Sequence, residues 1–431
     1  MKIELAYGKS GLTWNIPDGY RVDIIEPRWV EGLKDQAGVI TRALRSPIKS
    51  KPLKDLVSRD MKIGIVFSDI TRATPYHIIL PALLKELDHV DPRNIILFCA
   101  TGTHRPAPPD ELETILGKEF AGRYRIVQND THNKSQYVHT GNTSSGNRIY
   151  LNADLMDCDL KILTGFIEPH FFMGFSGGGK AIMPGMAYID TIRFNHSIAM
   201  LENDKARWGI THGNPLWEDV HEATDMLPGL FLLNITLNKR REISGVYAGD
   251  LRKAHEEGCI FARETAMAPV DEPYDLVITS NSGYPLDLNI YQSVKGMSAA
   301  MQVVKKGGDI IIAAECWDGI PDHTDFARML DAADNIDELY DYLRENEENF
   351  QDTWQVFYEV LIQRWSRVFL FADKLDDDTI RRALFNPVRD PETLIRNILE
   401  KHGPDARVCV LPEGPLTIPY IKELSFNHST A

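Results

Sequence analysis

The sequence predicts an α/β protein of two domains, each built on a mainly parallel sheet flanked by helices. Buried-strand runs such as KIGIVFS (62–68) alternate with polar loops and helical segments such as HIILPALLKEL (77–87). This alternation is typical of parallel α/β sheets. The chain has 431 residues, which is long for one hydrophobic core, because single cores stop growing at about 250–300 residues.

The first part of the chain contains short strands followed by the regular alternation. The runs IELAYG, LTWNI and RVDIIE predict a small meander of strands, and residues 31–44 predict a helix. Further strands are expected at 62–68, 94–100, 124–129, 159–167, 231–238 and 243–249. Helices are expected at 77–87, 110–116, 189–201 and 251–266.

The segment APVDEPYD (268–275) is the predicted linker, because it has two prolines, clustered acids and no periodicity. We therefore expect residues 1–270 to form a cofactor-binding and catalytic domain. Residues 271–431 should form a second α/β domain, whose last residues could pack back on the first. Its strands are expected in DLVITS, DIIIAAE, RVFLFA and RVCVLPE, with a helix over 288–304.

The composition excludes several classes of partner. A net charge of -15 would repel nucleic acid and anionic membrane surfaces. No apolar run is long enough to span a bilayer, and MKIELAY lacks the features of a signal peptide, so we expect a cytoplasmic protein. The five cysteines are odd in number and far apart, which indicates neither a disulfide framework nor a cysteine-rich zinc site.

Polar side chains follow the carboxyl ends of three predicted strands. Asp69 and Arg72 follow the strand at 62–68, His104 follows the strand at 94–100, and His170 follows the strand at 159–167. In parallel α/β sheets the loops at these ends form the ligand crevice. We therefore expect Asp69, Arg72 and His104 to lie close together.

The stretch from 165 to 200 contains the densest candidate chemistry, namely His170, a glycine turn, Lys180 and His196. Histidine transfers protons near neutral pH or binds a metal, and glycines allow a backbone to approach a ligand closely. Apolar neighbours in FFMGF and AIMPGMA favour a deprotonated, nucleophilic Lys180 and hence a covalent cofactor link. Packing alone would also explain each histidine taken singly.

The segment Gly174 to Lys180 fits the phosphate-binding pattern G-x-x-x-x-G-K of nucleotide hydrolases. Ala181 stands where that motif needs a magnesium-binding hydroxyl, and Pro184 interrupts the helix that should follow. A nucleotide phosphohydrolase is therefore disfavoured. A loop that holds a nucleotide phosphate remains open, as does a non-catalytic nucleotide-binding or metal-carrier protein. A pyridoxal-phosphate racemase has only Lys180 in its favour.

A second set of candidates lies in the second domain, where NIYQSVKG places Tyr291, Gln292 and Lys295 at helical spacing. Such residues ordinarily face solvent. If their helix lines the cleft between the domains, they would bind a carboxylate, as Arg72 would from the other side. Trp354, in DTWQVF, indicates either packing or a cover over the substrate.

Taken together, the blocks SDITRATP, ATGTHRP, GFIEPHFFMGFSGGGKAIMPG and FNHS resemble the nickel-pincer lactate racemase family, and YQSVKG and Trp354 continue the match. Their order and spacing agree along nearly the whole chain. The resemblance implies a two-domain α/β enzyme with its active site in the interdomain cleft. Such an enzyme racemises or epimerises a 2-hydroxy acid, lactate or a related one, by reversible hydride transfer.

The cofactor implied by this resemblance is Ni(II)-pyridinium-3,5-bisthiocarboxylic acid mononucleotide, the nickel-pincer nucleotide. Lys180 would bind it covalently, His196 would be the protein ligand to nickel, and His104 and His170 would be the acid/base pair. Further cofactor contacts are expected from Asp69, Ile70, Thr71 and Arg72, and substrate contacts from Arg72, Tyr291, Gln292, Lys295 and Trp354. The expected partners are the 2-hydroxy acid and the proteins that make the cofactor, with neither nucleic acid nor a membrane.

Overall fold

The structure is a computed structural model that describes residues 1–28, 30–72, 74–321 and 324–422. The chain forms two compact units. The central unit comprises Trp29–His196 and Asn203–Glu264, and the terminal unit comprises Met1–Arg28, Ser197–Glu202 and Thr265–Ala431.

The strands in chain order are β1 Lys2–Leu5, β2 Leu12–Asn15, β3 Arg21–Ile24, β4 Ile63–Ser68, β5 Ile95–Ala100, β6 Arg125–Gln128, β7 Tyr137–Asn142, β8 Arg148–Asn152, β9 Leu160–Phe166, β10 Pro169–His170, β11 Gly174–Phe175, β12 Leu230–Leu237, β13 Ile243–Gly249, β14 Met267–Val270, β15 Tyr274–Ser280, β16 Val304–Ala313, β17 Arg367–Phe371, β18 Asn386–Pro387, β19 Arg407–Leu411 and β20 Ile418–Ile421.

The α-helices are α1 Gln36–Arg45, α2 Leu53–Leu56, α3 Tyr76–Glu86, α4 Pro109–Leu116, α5 Lys118–Arg123, α6 Ala153–Met156, α7 Ile189–Asn195, α8 Ile198–Leu201, α9 Pro215–Asp225, α10 Leu251–Ala266, α11 Ile290–Met301, α12 Asp325–Leu330, α13 Ile336–Asn346, α14 Thr353–Trp365, α15 Asp377–Arg382 and α16 Pro391–His402.

The central unit is built on a six-stranded sheet of order β13-β12-β9-β4-β5-β6. Its neighbouring strands are parallel except for the antiparallel pair β12 and β13. From β4 the chain adds β5 and β6 on one side of the sheet, and it then adds β9 and β12 on the other side. The carboxyl ends of β4 and β9 therefore flank the point where the strand order reverses, and ligands bind at such points in open α/β sheets.

The terminal unit is built on a second six-stranded sheet, of order β18-β17-β16-β15-β19-β3, whose neighbouring strands are all parallel. The antiparallel pair β1 and β2 contributes Ile3 and Trp14 to the core beneath this sheet, where they pack with Ile278 and Val408. A separate parallel pair joins β14 to β20.

The start of the chain differs from the predicted meander. β1 and β2 pair with each other, whereas β3 leaves them and extends the terminal sheet beside β19, with Val22 opposite Val408. For this reason residues 1–28 belong to the terminal unit, and the unit boundaries differ from the expected division into 1–270 and 271–431. The cofactor and substrate roles of the two domains stay predictions.

The predicted linker at 268–275 is also wrong. Met267–Val270 forms β14 and pairs with β20, and Tyr274 already begins β15. Pro269 is compatible with this short strand because β14 has only one neighbour and its other edge needs no donor. The predicted return of the last residues to the first domain concerns the chain beyond residue 422, which lies outside the described residues.

All five cysteines are buried and form no disulfide bond, as their number and spacing predicted. Across the described ranges, no helix combines the length and the apolar character needed to cross a membrane.

Candidate active site

Three loops leave the same edge of the central sheet. Asp69 to Arg72 follow β4, His104 follows β5, and Glu168 to His170 follow β9. The strands are in register here, because Ser68 at the end of β4 lies opposite Ala100 at the end of β5. The structure thus brings together Asp69 and His104, as the sequence predicted.

Asp69 and His104 form a close pair, with 2.5 Å between Asp69 Oδ2 and His104 Nδ1. Asp69 Oδ1 accepts hydrogen bonds from the Thr71 backbone N–H at 3.1 Å and the Thr71 hydroxyl at 2.6 Å. Burial acts to raise the pKa of Asp69, but the hydrogen bond and charge of His104, the Thr71 hydroxyl and the charge of Arg72 outweigh it, and the pKa is lowered. Asp69 is therefore an anion that holds a proton on His104 Nδ1, which leaves Nε2 to exchange protons.

Arg72 lies across the reversal point of the sheet and forms an ion pair with Glu168, with 3.4 Å between Arg72 Nη1 and Glu168 Oε1. The two side chains are 37% and 41% exposed. Exposed ion pairs of this kind contribute about 0–1 kcal/mol. A ligand carboxylate can therefore compete with Glu168 for the Arg72 guanidinium. Ile70, next to this pair, is 44% exposed.

Three of the predicted site residues lie around the ring of Phe172. The His170 ring meets it edge to face at 4.7 Å, and the His196 ring meets it in the same way at 5.2 Å. Lys180 Nζ lies 6.0 Å from the centroid of the same ring. Phe172 is 3% exposed, so His170, Lys180 and His196 surround a fixed, buried ring.

His170 is oriented by its neighbours. It stacks on Phe171 at 4.9 Å, and its Nδ1 accepts a hydrogen bond from the Met173 backbone N–H at 3.4 Å. This contact orients the His170 ring, as the Asp69 carboxylate orients the ring of His104.

His196 ends helix α7, and α8 begins at Ile198. The helix predicted over 189–201 is therefore interrupted at the histidine. The His196 backbone N–H donates to Ile192 O at 2.9 Å, and its side chain is buried. Burial, with a further contribution from the charge of Lys180, lowers the pKa of His196 to about 3. The imidazole therefore stays neutral, which is the form that binds metals.

The glycine turn is explained by packing against the interior of the unit. Gly177 and Gly178 have φ of +76° and +56°, and Cβ atoms added to them would lie 2.5 Å from Asn234 Oδ1 and 2.3 Å from His255 Nδ1. A Cβ atom on Gly179 would lie 2.8 Å from a Val220 methyl group. The predicted reason for these glycines, backbone access to a phosphate, is therefore not required to explain them.

Lys180 lies in a short 3-10 helix, Gly178–Ala181, after which the chain turns instead of continuing as a helix. The Gly185 backbone N–H donates to Lys180 O at 3.0 Å, and the next α-helix begins only at Ile189. A phosphate-binding loop of nucleotide hydrolases needs a long helix that begins at the lysine. The local geometry is unlike such a loop.

The second set of candidates lies on two contacting helices of the terminal unit. On α11, Lys295 Nζ donates to Gln292 Oε1 at 2.9 Å. The Tyr291 ring packs edge to face on Phe326 at 5.2 Å, and burial raises the pKa of its hydroxyl. Gln355 of α14, the neighbour of Trp354, donates to Tyr291 O at 2.7 Å. The position of these residues in an interdomain cleft stays a prediction.

Sequence reasoning missed Phe172, Glu168, Asn234 and His255 as parts of this site. Glu168 and Phe172 lie inside the motif, so their neighbours could have indicated them. Asn234 is in a buried strand, and His255 is on the buried face of α10. Both patterns indicate packing and nothing more. Among the residues that the structure describes, no three His, Cys, Asp or Glu side chains form a metal-binding group.

Comparison with known proteins identifies the family. Residues 7–209 match the family described as lactate racemase N-terminal domain, and residues 270–418 match the lactate racemase C-terminal domain. The chain is 34% identical over 419 residues to the lactate racemase of Thermoanaerobacterium thermosaccharolyticum, covering 96% of this chain and 97% of that protein. The chain belongs to the lactate racemase family.

A second lactate racemase, from Lactiplantibacillus plantarum, is 34% identical over 427 residues, covering 96% of this chain and 98% of that protein. The solved structure of the lactate racemase apoprotein from T. thermosaccharolyticum matches with a TM-score of 0.89 and 33% identity, covering 97% of this chain and 100% of that one. A Thermotoga maritima protein shares the fold, with a TM-score of 0.66 at 20% identity. These matches confirm the predicted fold class and family, which is a family of racemase enzymes.

Proposed function

We propose that this protein interconverts the enantiomers of a 2-hydroxy acid, lactate or a related one, by reversible hydride transfer. Its cofactor would be a nickel-pincer nucleotide bound covalently through Lys180. The observation that carries the proposal is the gathering of His170, Lys180 and His196 around the buried Phe172 ring in a member of the lactate racemase family.

The residues of the central unit fit this cofactor. His196 is a buried, neutral imidazole, and imidazole is a suitable ligand for nickel. The charge of Lys180 acts on His196, so the lysine that would bind the cofactor lies near the imidazole that would bind its metal, and both contact the Phe172 ring. When bound, the nickel-pincer nucleotide supplies the remaining nickel ligands and a hydride acceptor. Asp69, Ile70, Thr71 and Arg72 are the further contacts proposed for it.

The two histidines would move the hydroxyl proton of the substrate. The Cα proton of a 2-hydroxy acid is far too weakly acidic for a histidine to remove, whereas its hydroxyl proton is transferable to an imidazole. His104, with Asp69 on its Nδ1, would take that proton from one enantiomer and His170 would take it from the other, and each would return it from its protonated ring. Two histidines are needed because the hydroxyl groups of the two enantiomers point in different directions.

The substrate carboxylate would be bound by cations and amides. Arg72 offers a guanidinium whose present partner, Glu168, holds it only weakly. Lys295 and Gln292 are already joined on one face of α11, so both can turn toward one carboxylate. Tyr291 and Trp354 would form the apolar wall. Loss of the hydride would convert the substrate into a planar 2-keto acid. Fixing its carboxylate would keep the reacting carbon in place while the keto acid rotates to present its other face.

The proposal includes a maturation step in the cytoplasm. Separate biosynthesis proteins would make the nucleotide and its nickel site, and this chain would receive the finished group on Lys180. Protein produced without them would carry an unmodified Lys180 and would be inactive. The proposal involves neither nucleic acid nor a membrane as a partner.

The test uses protein produced together with those biosynthesis proteins and a panel of single-enantiomer 2-hydroxy acids. We expect chiral chromatography to show racemisation, elemental analysis to show nickel, and peptide mass spectrometry to show an adduct on Lys180. His196→Ala should lose nickel and activity. His104→Ala and His170→Ala should lose racemisation but keep nickel. An active protein with an unmodified Lys180 and no nickel would contradict the proposal.

The alternative functions are less well supported. A nucleotide phosphohydrolase would need a hydroxyl at Ala181 and a long helix after Lys180, and the segment 178–181 is instead a 3-10 helix. Magnesium-dependent turnover of ATP or GTP would favour it. A non-catalytic nucleotide-binding or metal-carrier protein would bind the cofactor but leave every 2-hydroxy acid optically unchanged.

A further inference from the structure

A buried histidine that the proposed mechanism does not use lies under the loop that carries Lys180. His255, on α10, is 1% exposed. Its Nε2 is 2.8 Å from the backbone oxygen of Ser176. A carbonyl oxygen only accepts hydrogen bonds, so Nε2 carries the proton and donates it to Ser176. The tautomer of His255 is thereby fixed.

A second buried side chain holds the same loop two residues further on. Asn234 Oδ1, from β12, accepts a hydrogen bond from the Gly178 backbone N–H at 2.7 Å. The Asn234 amide donates in turn to Leu233 O at 3.1 Å and Leu163 O at 3.4 Å. The loop is therefore held from beneath by side chains of two different elements.

The cost of placing a histidine here indicates that its donor is needed. His255 Nδ1 is buried and has no hydrogen-bond partner among the described residues. A buried acceptor without a partner is unfavourable, and an apolar side chain of the same size would avoid that cost. Two properties could explain why a histidine is present here. One is the N–H that it donates to the Ser176 carbonyl. The other is its flat ring, which stacks on Trp217 with 5.1 Å between ring centroids and 17° between ring planes.

The hydrogen bonds that hold the loop also restrain the backbone of Lys180. The Lys180 backbone N–H donates to Gly177 O at 3.2 Å, so the lysine is attached to the segment that His255 and Asn234 hold. The charge of Lys180 contributes to a lowered pKa of His255, after the larger effect of burial and alongside the charge of His221. The lysine side chain is thus near enough to His255 to act on it.

We propose that His255 is a positioning residue for Lys180, and this rests on the proposed function of Lys180. Through its hydrogen bond to the Ser176 carbonyl it keeps the loop 176–180 in the conformation that holds the lysine amine beside Phe172 and His196, where the cofactor becomes attached. His255 touches neither cofactor nor substrate in this scheme.

Two substitutions separate the hydrogen bond from the packing. His255→Phe keeps a flat ring on Trp217 but has no donor, whereas His255→Gln places an amide N–H near the position of Nε2 but has no ring. In protein produced with the cofactor biosynthesis proteins, we expect His255→Phe to lower the fraction of Lys180 that carries the adduct by about tenfold. We expect His255→Gln to stay within about twofold of the wild type. Peptide mass spectrometry measures that fraction.

Either of two results would overturn the proposal. His255→Phe that loads Lys180 like the wild type would show that packing is sufficient. His255→Gln that loads no better than His255→Phe would show that the donor is not what matters. Thermal unfolding of both variants shows whether a loss of loading merely follows a loss of folded protein, and loading is compared at a temperature where both are folded.

A second measurement does not depend on the cofactor. In protein produced without the biosynthesis proteins, hydrogen exchange of the Gly178 and Lys180 amides should become about tenfold faster in His255→Phe than in His255→Gln. Exchange along β12 should stay unchanged. Equal exchange in the two variants would overturn the proposal. If the wild type carries no adduct on Lys180, the proposed function fails, while this exchange result still decides whether His255 holds the loop.

Discussion

Asp69 determines which nitrogen of His104 exchanges protons with a substrate. Its carboxylate lies 2.5 Å from Nδ1 and is kept anionic by the charges and donors around it. An asparagine of the same shape can turn its amide N–H groups to the ring and favour the other tautomer. The proton of His104 would then lie on Nε2, and the base would be lost.

We therefore expect Asp69→Asn to lower kcat for racemisation by about 10²–10⁴-fold, the range seen when a general base is lost or held in the wrong tautomer. Because Asp69 is also a proposed contact of the cofactor, kcat is expressed per protein that carries nickel and the adduct on Lys180. Chiral chromatography of lactate gives the rate, and Asp130→Asn, at an exposed carboxylate, is the matched control. An Asp69→Asn protein with the kcat of the wild type would rule out this role.

The buried histidines make stability depend on pH. Burial lowers the pKa of His255 from 6.5 to about 3, so between these values the unfolded chain binds a proton that the folded chain does not. The contribution of His255 to the free energy of unfolding is therefore fully present above about pH 6.5 and is lost as the pH falls toward 3. The slope from this one residue is roughly 1 kcal/mol per pH unit.

Urea unfolding at pH 7, 6 and 5 measures that slope. His255→Gln should lose less stability between pH 7 and pH 5 than the wild type, because the variant has no imidazole to protonate on unfolding. His132→Gln, at an exposed histidine, should behave like the wild type. If the free energy of unfolding fell equally with pH in the wild type and in His255→Gln, His255 would not be held neutral by burial.

At the scale of the element, the glycine turn is a packed loop whose backbone conformation and interior neighbours both demand glycine. Gly178→Ala would put a Cβ atom 2.3 Å from the His255 ring at a φ of +56°. We expect a loss of about 2–4 kcal/mol in the free energy of unfolding, read from urea unfolding at pH 7.

The chain offers a matched glycine for this comparison. Gly122 lies inside helix α5, and a Cβ atom added there would meet nothing within 4 Å. Gly122→Ala should therefore stabilise the protein by about 0.5–1 kcal/mol, because alanine loses less entropy in a helix. If the two variants had equal stability, the packing explanation for Gly178 would be wrong.

The alternating part of the fold could be predicted from sequence because each central strand is a continuous apolar run. β4, β5 and β9 all lie where the runs indicated. The helix predicted over 189–201 is two helices in the structure, because apolar periodicity continues through the point where the chain passes from the central unit to the terminal unit. Asn195, His196 and Ser197 are residue types that favour helix ends. Ser197 is extended, at φ −66° and ψ 155°.

The residues that hold the site were harder to predict than those that form it. His104 and His170 follow the carboxyl ends of two strands of the central sheet, so the rule that ligands bind at these ends finds them. His255 lies at an apolar position of α10, and a local pattern cannot tell a histidine that packs from one that supports a loop far away in the chain. Its role follows only from its distance to Ser176.

At the scale of the whole molecule, the first 28 residues belong to the terminal unit. The pairing of β3 with β19 could not be predicted from sequence. A short run such as RVDIIE shows that a strand exists, but its register partner, Arg407–Leu411, lies beyond the entire central unit. Sequence patterns report on residues that are close together in the chain. In this sheet, β3 and β19 are the neighbouring strands farthest apart in the chain.

Removal of residues 1–28 should destabilise the terminal unit alone. The deletion removes the buried side chains of Ile3 and Trp14 and makes β19 an edge strand. We expect hydrogen exchange at Arg407–Leu411 to become at least about tenfold faster, as expected when a buried strand becomes a fraying edge.

Exchange at Ile63–Ser68, in the middle of the central sheet, is the internal control and should be unchanged by the deletion. Unchanged exchange at Arg407–Leu411 would mean that β3 does not stabilise β19. Loss of protection at both segments would mean that the first 28 residues are also required by the central sheet.

The same pairing sets an order of events during synthesis. The strands β1 to β3 leave the ribosome before the central unit, but their core partners in β15, β16 and β19 are made only after it. At about 5–20 residues per second, this delay is tens of seconds. Over that time the central unit can fold, whereas Trp14 and the unpaired edge of β3 stay exposed to other nascent chains. A ribosome that stalls before Arg407 would therefore release an aggregation-prone chain whose loop for Lys180 is already complete.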